Sequence, residues 1–317
     1  MASTTANPIQ LSAKSNELPK SQGLLARSTR RFFKHRMAVT GTSILVAIIL
    51  FVSLGTVFFS EADANFNDTS RRLLPISSEH PFGTDTIGRD ILARSIYGGQ
   101  ISLLIGITAV TMMVGVGTFV GVLSGYYGGI WDAVLGRIIE AMLSIPQLLL
   151  LLVMARFFAG KIPQQELFGR SFSGSVIVII LIIGLTSWMQ LARIVRSNVL
   201  SLRESEFVSA AKALGASDRR IIMSHILPNT LAPVIVAATL GIAGAILAEA
   251  YISFLGLGVQ PPTATWGNML EGAKQYIGEA PWLWIFPGLL IVLSVISINF
   301  VGDGLRDALD PRSDSKV

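Results

Sequence analysis

Residues 38–60 read AVTGTSILVAIILFVSLGTVFFS, a stretch without one charged side chain. Coiled as a helix, it is about long enough to cross ~30 Å of hydrocarbon. Arg27, Arg30, Arg31, Lys34 and Arg36 stand before it as a basic collar. The competing reading is a secretory leader cut near Ala62-Asp63-Ala64. A leader's apolar core is only about 7–15 residues long, so the stretch is read as an uncleaved first span. Five more apolar runs follow: Ile101–Gly125, Ala133–Phe158, Ser175–Leu191, Leu231–Leu257 and Trp282–Val301. The sequence thus predicts an all-α integral membrane protein with six transmembrane helices.

Composition agrees. Of 317 residues, 51% are hydrophobic and 14% charged, where soluble domains carry about 25% charge. Cysteine is absent, which excludes disulfides, thiolate metal sites and cysteine nucleophiles. His35, His80 and His225 lie far apart in sequence, so neither a histidine metal centre nor a catalytic triad is expected. A net charge of +5 raises nucleic acid as a partner. The cations, however, flank apolar runs and form no stripe with interleaved aromatics, so no nucleic-acid binding is expected. No G-x-x-x-x-G-K-[ST], H-E-x-x-H or G-x-S-x-G occurs, so neither a P-loop nor a hydrolase signature is present.

Cations also orient the spans. Lys14, Lys20 and the collar lie on one side, with Arg137, Arg193, Arg196, Arg203, Lys212, Arg219 and Arg220, and with Arg306, Arg312 and Lys316. Glu61, Asp63, Asp68, Glu79, Asp85 and Asp90 offset the cations that follow the first span. The positive-inside rule then places both termini and the 193–220 segment in the cytoplasm. The expected organisation is a basic tail over 1–37, irregular through Leu25; a six-span domain over 38–302 with a cytoplasmic loop at 193–228; and a tail over 303–317.

That loop contains Phe207–Asn229, FVSAAKALGASDRRIIMSHILPN. Phe207, Ala210, Ala211 and Leu214 recur at helical spacing as a small apolar face on a helix over Glu204–Leu214. Gly215 follows where a C-cap takes left-handed backbone. Ser217 can cap a second helix with Asp218 at its positive end, and Pro228 interrupts the pattern before the next span. Two uses fit this helix–turn–helix: docking a partner backbone against the alanines, or lying on lipid headgroups.

Other residues carry local expectations. Thr84 or Asp85 can cap a short helix leading back to the membrane. Arg89 and Asp90 can pair with neighbours or with a docking protein. Pro146 should kink the third span. Gly115, Gly117, Gly121, Gly241 and Gly244 suit close helix packing. Arg137 and Glu140 stand one turn apart and can pair. Glu249, inside the fifth apolar run, is either a pathway carboxylate or a hydrogen-bonded packing group.

Several segments together resemble one family. Ala210, Ala211, Gly215 and Pro228 match the spacing of the "EAA" loop of importer-type ATP-binding-cassette permeases, with Ser209 where the glutamate stands and His225 where isoleucine is common. His80-Pro81-Phe82-Gly83-Thr84-Asp85, Gly88-Arg89-Asp90, Tyr97-Gly98 and Ser144-Ile145-Pro146 resemble C-type permeases of dipeptide, oligopeptide and nickel importers. So do residues 253–258 (SFLGLG), Pro261-Pro262, Trp266-Gly267 and residues 302–311 (GDGLRDALDP). The resemblance spans about Arg30 to Arg312.

It implies a type I importer permease fold in the bacterial inner membrane. It also implies partners: a homologous B-type permease, two cytoplasmic ATPases that carry ATP and magnesium, and an extracytoplasmic binding protein. The chain itself would bind no cofactor and touch membrane lipid. In the family the loop at Ser209, Ala210, Ala211, Gly215, Ala216, Ser217, Asp218 and Pro228 docks on the ATPase. A stand-alone channel or secondary transporter using Glu249 is the other reading, but it has no need of the Gly215 loop.

Overall fold

The computed structural model describes residues 24–167 and 170–310. Most of the segment expected to be irregular, Met1–Leu25, lies outside them, as do Arg312 and Lys316. Five helices are long and apolar enough to cross a membrane: α2 (Arg36–Phe58), α4 (Ile91–Tyr127), α7 (Gly174–Arg203), the helix ending in α10 (Leu227–Phe254), and α12 (Trp282–Leu309). A sixth apolar element is broken. The third apolar run forms α5 (Gly129–Leu143) and α6 (Gln147–Phe158), bent by 85°. A kink was expected at Pro146; the structure makes a corner there. Proline has no amide to donate and its ring crowds the preceding turn, so α5 stops at Leu143 and α6 starts after Pro146.

The helices overrun their apolar runs. α4 begins ten residues before Ile101, and α7 continues to Arg203 beyond Leu191. Polar residues at those ends keep helical hydrogen bonds while leaving the hydrocarbon. The collar is itself helical, as α1 (Leu24–Lys34), and α2 starts after one non-helical residue, His35. His35 Nδ1 accepts from the Ala38 amide at 3.1 Å, and its Nε2 lies 3.4 Å from Asp307 near the end of α12. The start of α2 thereby rests against α12, where a Cβ on Gly304 would stand 2.2 Å from that of Ala38.

Packing in lipid gains little from the hydrophobic effect, so close approach and polar contacts hold such bundles. α4 and α7 run together along a buried apolar seam that includes Ile105, Ala109, Val195 and Val199. Gly117 and Gly121 are part of it as expected, and so is Gly125. Gly241 lies against the Met113 side chain, but Gly115 and Gly244 border open space.

At the other end, α3 (Glu61–Asn65) opens with a capping box between Ser60 and Asp63. The Ser60 hydroxyl bond holds the Asp63 carboxyl below its ordinary range. The chain then returns through a 3-10 turn at Thr69–Arg71 and folds onto α12, where Phe82 stacks on Phe286 at 3.9 Å. The expected short helix capped by Thr84 or Asp85 is absent. Thr84 instead ties the Leu74 amide, and Asp85 accepts from the Ile87 and Arg89 amides. Asp90 is the cap, taking the Ala93 amide at 2.8 Å and opening the long α4. Arg89 pairs with Asp85 and Asp90 with His80, so these charges are used internally. A hairpin of β1 (Gln165–Leu167) and β2 (Arg170–Phe172) joins α6 to α7. The short α11 (Trp266–Ala273) packs against α4, α10 and α12.

Candidate functional site

Two regions carry the candidate residues: the turn at Gly215, and a cavity among the spans. α8 (Glu206–Ala213) and α9 (Asp218–Ile221) flank the turn. Gly215 has φ +80°, and the amides of Gly215 and Ala216 return to the carbonyls of Lys212 and Ala211 at 2.9 and 3.0 Å. This is the glycine-closed helix end expected from the sequence. The expected apolar face is divided. Val208 is fully buried and Ala211 and Ala216 pack on the core, while Phe207, Ala210 and Leu214 point outward, Leu214 being 88% exposed. Ser209 and Lys212 are exposed beside them.

Ser217 takes the cap position, yet its side chain makes no cap bond. Asp218 does more than sit at a helix start: its carboxylate accepts from the Tyr126 hydroxyl of α4 at 2.6 Å. Pro228 does not interrupt the helix. A π turn at Ile222–Ile226 joins α9 to α10, with the Leu227 amide on the Ile222 carbonyl. The wider turn gives room for a ring that an α-helical turn would crowd. α9, the π turn and α10 form one helix, Asp218–Phe254.

Beside α8 lies a polar cluster that the sequence did not single out. Arg203 donates to the Tyr126 carbonyl at 3.1 Å, and Lys212 stands 5.5 Å over the Tyr126 ring. Asp132 of α5 accepts from Ser124 at 2.5 Å and from Arg196 Nη2 at 2.7 Å. Arg137 and Glu140 pair at 3.0 Å on the exposed side of α5, as the one-turn spacing suggested.

The cavity, about 790 Å³, lies between α4, the α5–α6 corner, α7 and α10. Met113, Met142, Met189, Leu151 and Ala245 make its apolar wall, and Gln147, Thr186, Ser187, Gln190 and Tyr251 its uncharged polar groups. Ile145 and Pro146 of the corner, and Gly241 and Gly244 of α10, also line it. No charged side chain does.

Glu249 is turned away from that cavity. It is fully buried, accepting from Ser253 at 2.7 Å and Ser102 at 3.3 Å. Ser102 in turn receives the Trp266 amide, and the Trp266 indole donates to the Ser95 carbonyl at 2.9 Å. The carboxylate thus joins α4, α10 and α11. No group of three or more His, Asp or Glu is placed to hold a metal among the described residues.

Residues 117–315 match the binding-protein-dependent transport system inner membrane component, and residues 23–75 match the N-terminal transmembrane domain of oligopeptide transport permease C. The chain belongs to this permease family. The permease is 40% identical to the dipeptide transport system permease protein DppC of Alkalihalophilus pseudofirmus, over 99% of its own length and 100% of the relative's. It is 39% identical to the oligopeptide transport system permease protein OppC of Haemophilus influenzae, over 92% of its length and 90% of that protein's. In fold the permease resembles a chain of the inward-facing MetNI methionine ABC transporter, with TM-score 0.51 and 23% identity over 67% of this chain and 94% of that one. It is a multi-pass inner-membrane subunit of an ABC importer, and the family is not itself catalytic.

Proposed function

We propose that this permease forms one half of a peptide pathway, completed by a homologous permease. Two cytoplasmic ATPases, holding ATP and magnesium, drive it, and an extracytoplasmic binding protein loads it. The observation that carries the peptide reading is the match to dipeptide and oligopeptide permeases along nearly the whole chain. The cavity suits such a cargo: amide and hydroxyl groups can bond a peptide backbone, and methionines adapt to varied side chains.

Both termini and the Gly215 turn face the cytoplasm in this reading, with 38–302 as the spanning domain between the two tails. Phe207, Ala210 and Leu214 form the surface an ATPase grips, and Ser209, Ala211, Gly215, Ala216, Ser217, Asp218 and Pro228 hold that surface in place. Leu214, 88% exposed beside the turn, offers apolar surface for a partner to cover. Glu249 serves packing, and Arg137 with Glu140 is a surface pair. The test is reconstitution of the full complex in proteoliposomes, with uptake of labelled di- and oligopeptides. ATP-dependent uptake that requires loaded binding protein is expected. Uptake that needs no ATPase subunit, or a complex that moves no peptide, would remove the reading.

A further inference from the structure

Of the bent element, α6 packs Leu151 and Ala155 into the core, but α5 is attached to the molecule by little. Ile139 alone is buried on α5, against Met189 and Ala192 of α7. α4 and α7, by contrast, touch backbone to backbone. A Cβ on Gly117, Gly121 or Gly125 would stand 2.9, 2.7 or 2.8 Å from the carbonyl oxygens of Trp188, Ala192 and Arg196. Such approach makes the two helices a single plank. α5 leaves that plank through Gly128 and Gly129, with φ +66° and +53°. A groove of about 630 Å³ runs between α5 and α7, bordered by Gly136, Glu140 and Arg193. Leu143 borders both this groove and the central cavity.

One polar contact bridges the groove. Both Asp132 carboxylate oxygens accept from the Arg196 guanidinium, and Ser124 donates to the same carboxylate. Two residues further along α4, Tyr126 binds Asp218 through its hydroxyl and Arg203 through its carbonyl. The last turn of α4 therefore meets the arm, the plank and the Gly215 loop at once. A two-bond carboxylate–guanidinium pair is directional. With the Arg196 side chain 39% and the Asp132 side chain 25% exposed, this one is also wet enough to break and remake.

We propose that Asp132 is a positioning residue for transport, pinning the α5 arm to the α4–α7 plank, with Tyr126 linking the pin to Asp218 of the loop. The inference rests on the coupling role proposed above for the Gly215 turn. Displacement of Asp218 pulls on Tyr126 and so moves the end of the α4–α7 plank, Ser124 included, against α5. The Asp132 pin then rotates, and the arm turns about Gly128 and Gly129. That motion carries Leu143 and the Ser144–Pro146 corner, which wall the cavity.

Asp132→Asn keeps the shape and removes the charge. In the reconstituted complex, the ratio of ATPase activity with and without loaded binding protein should fall at least about fivefold, the equivalent of ~1 kcal/mol of coupling. Tyr126→Phe should lower the same ratio while the melting temperature stays that of the parent. The double reversal Asp132→Arg with Arg196→Asp should restore part of it. The chain has no cysteine, so Gly136→Cys and Arg193→Cys, which both border the groove, give a unique spin-label pair across it when the partner subunits are cysteine-free. The label distance should change on ATP trapping in the parent and stay fixed with Asp132→Asn. A parental ratio and parental distance change in Asp132→Asn would overturn the inference, as would a fall in melting temperature with the ratio intact. Gly215→Val, measured in parallel, separates the two ideas. If it abolishes stimulation while Asp132→Asn does not, the pin alone fails. If it leaves stimulation whole, the coupling reading falls and the pin with it.

Discussion

Ser253 donates its hydroxyl to the Glu249 carboxylate at 2.7 Å, one turn along the same helix. That bond, with the one from Ser102, fills a buried acid that the cavity does not see. Gln in place of Glu can still accept from one serine and donate to the other. Glu249→Gln should therefore assemble and transport near parental rates, losing under ~1.5 kcal/mol of stability. Glu249→Ala strands two hydroxyls and should lower the melting temperature in detergent-solubilised complex. Abolished transport in an assembled, ATP-hydrolysing Glu249→Gln complex would assign the carboxylate to the pathway.

Gly215 has open space where a Cβ would go, so its constraint is the backbone angle and not crowding. A β-branched residue at φ +80° is strained by roughly 1–2 kcal/mol. Gly215→Val should insert and fold its spans, yet lose binding-protein-stimulated ATP hydrolysis and transport. Gly215→Asn, which tolerates left-handed backbone, should keep most of both. Equal loss in the two variants would mean that something other than the turn angle matters there.

Gly99 faces the Trp266 ring, and a Cβ there would stand 2.5 Å from it. Trp266 is wholly buried and tied to Ser95, so it has nowhere to retreat. Gly99→Val should cost about 1–3 kcal/mol, the usual range for overpacking, and reduce the amount of folded permease in the membrane. Gly115→Val, at a helical position where nothing stands near the added carbon, is the matched control for steric cost. Parental yield and melting temperature in Gly99→Val would contradict this packing.

Orientation follows from labelling. Ser78→Cys and Gly278→Cys sit in exposed segments at one end of the spans, and Ala213→Cys at the other. In intact cells the first two should react with a membrane-impermeant maleimide, and the third only after the membrane is opened. Reaction of Ala213→Cys in sealed cells would invert the topology.

The spans were legible because a charge-free run of this length has few other uses, and the Gly215 turn because glycine after an alanine-rich helix has one dominant conformation. Pro146 announced a disturbance but not its angle: proline removes a bond, while the 85° corner depends on what α6 packs against. Helix ends were missed because polar residues there continue the helix outside the lipid. Asp132 and Arg196 lie 64 positions apart, and each alone looks like an ordinary headgroup-level charge. Val208 shows the same limit on a smaller scale, since α8 lies on the core with Val208 and Ala211 inward and leaves Phe207 out.

The π turn before Pro228 has a mechanical consequence. Because it absorbs the proline without a break, Asp218 and Phe254 end one rod of 37 residues, roughly 55 Å at 1.5 Å per residue. Pro233 also lies inside it, so the wide turn and this second proline are the places where the helix bends. Its ends meet different neighbours: Asp218 binds the Tyr126 hydroxyl, and Glu249, near the far end, binds Ser102. One continuous helix thus carries both the residue that borders the Gly215 turn and the buried acid that ties α10 to α4.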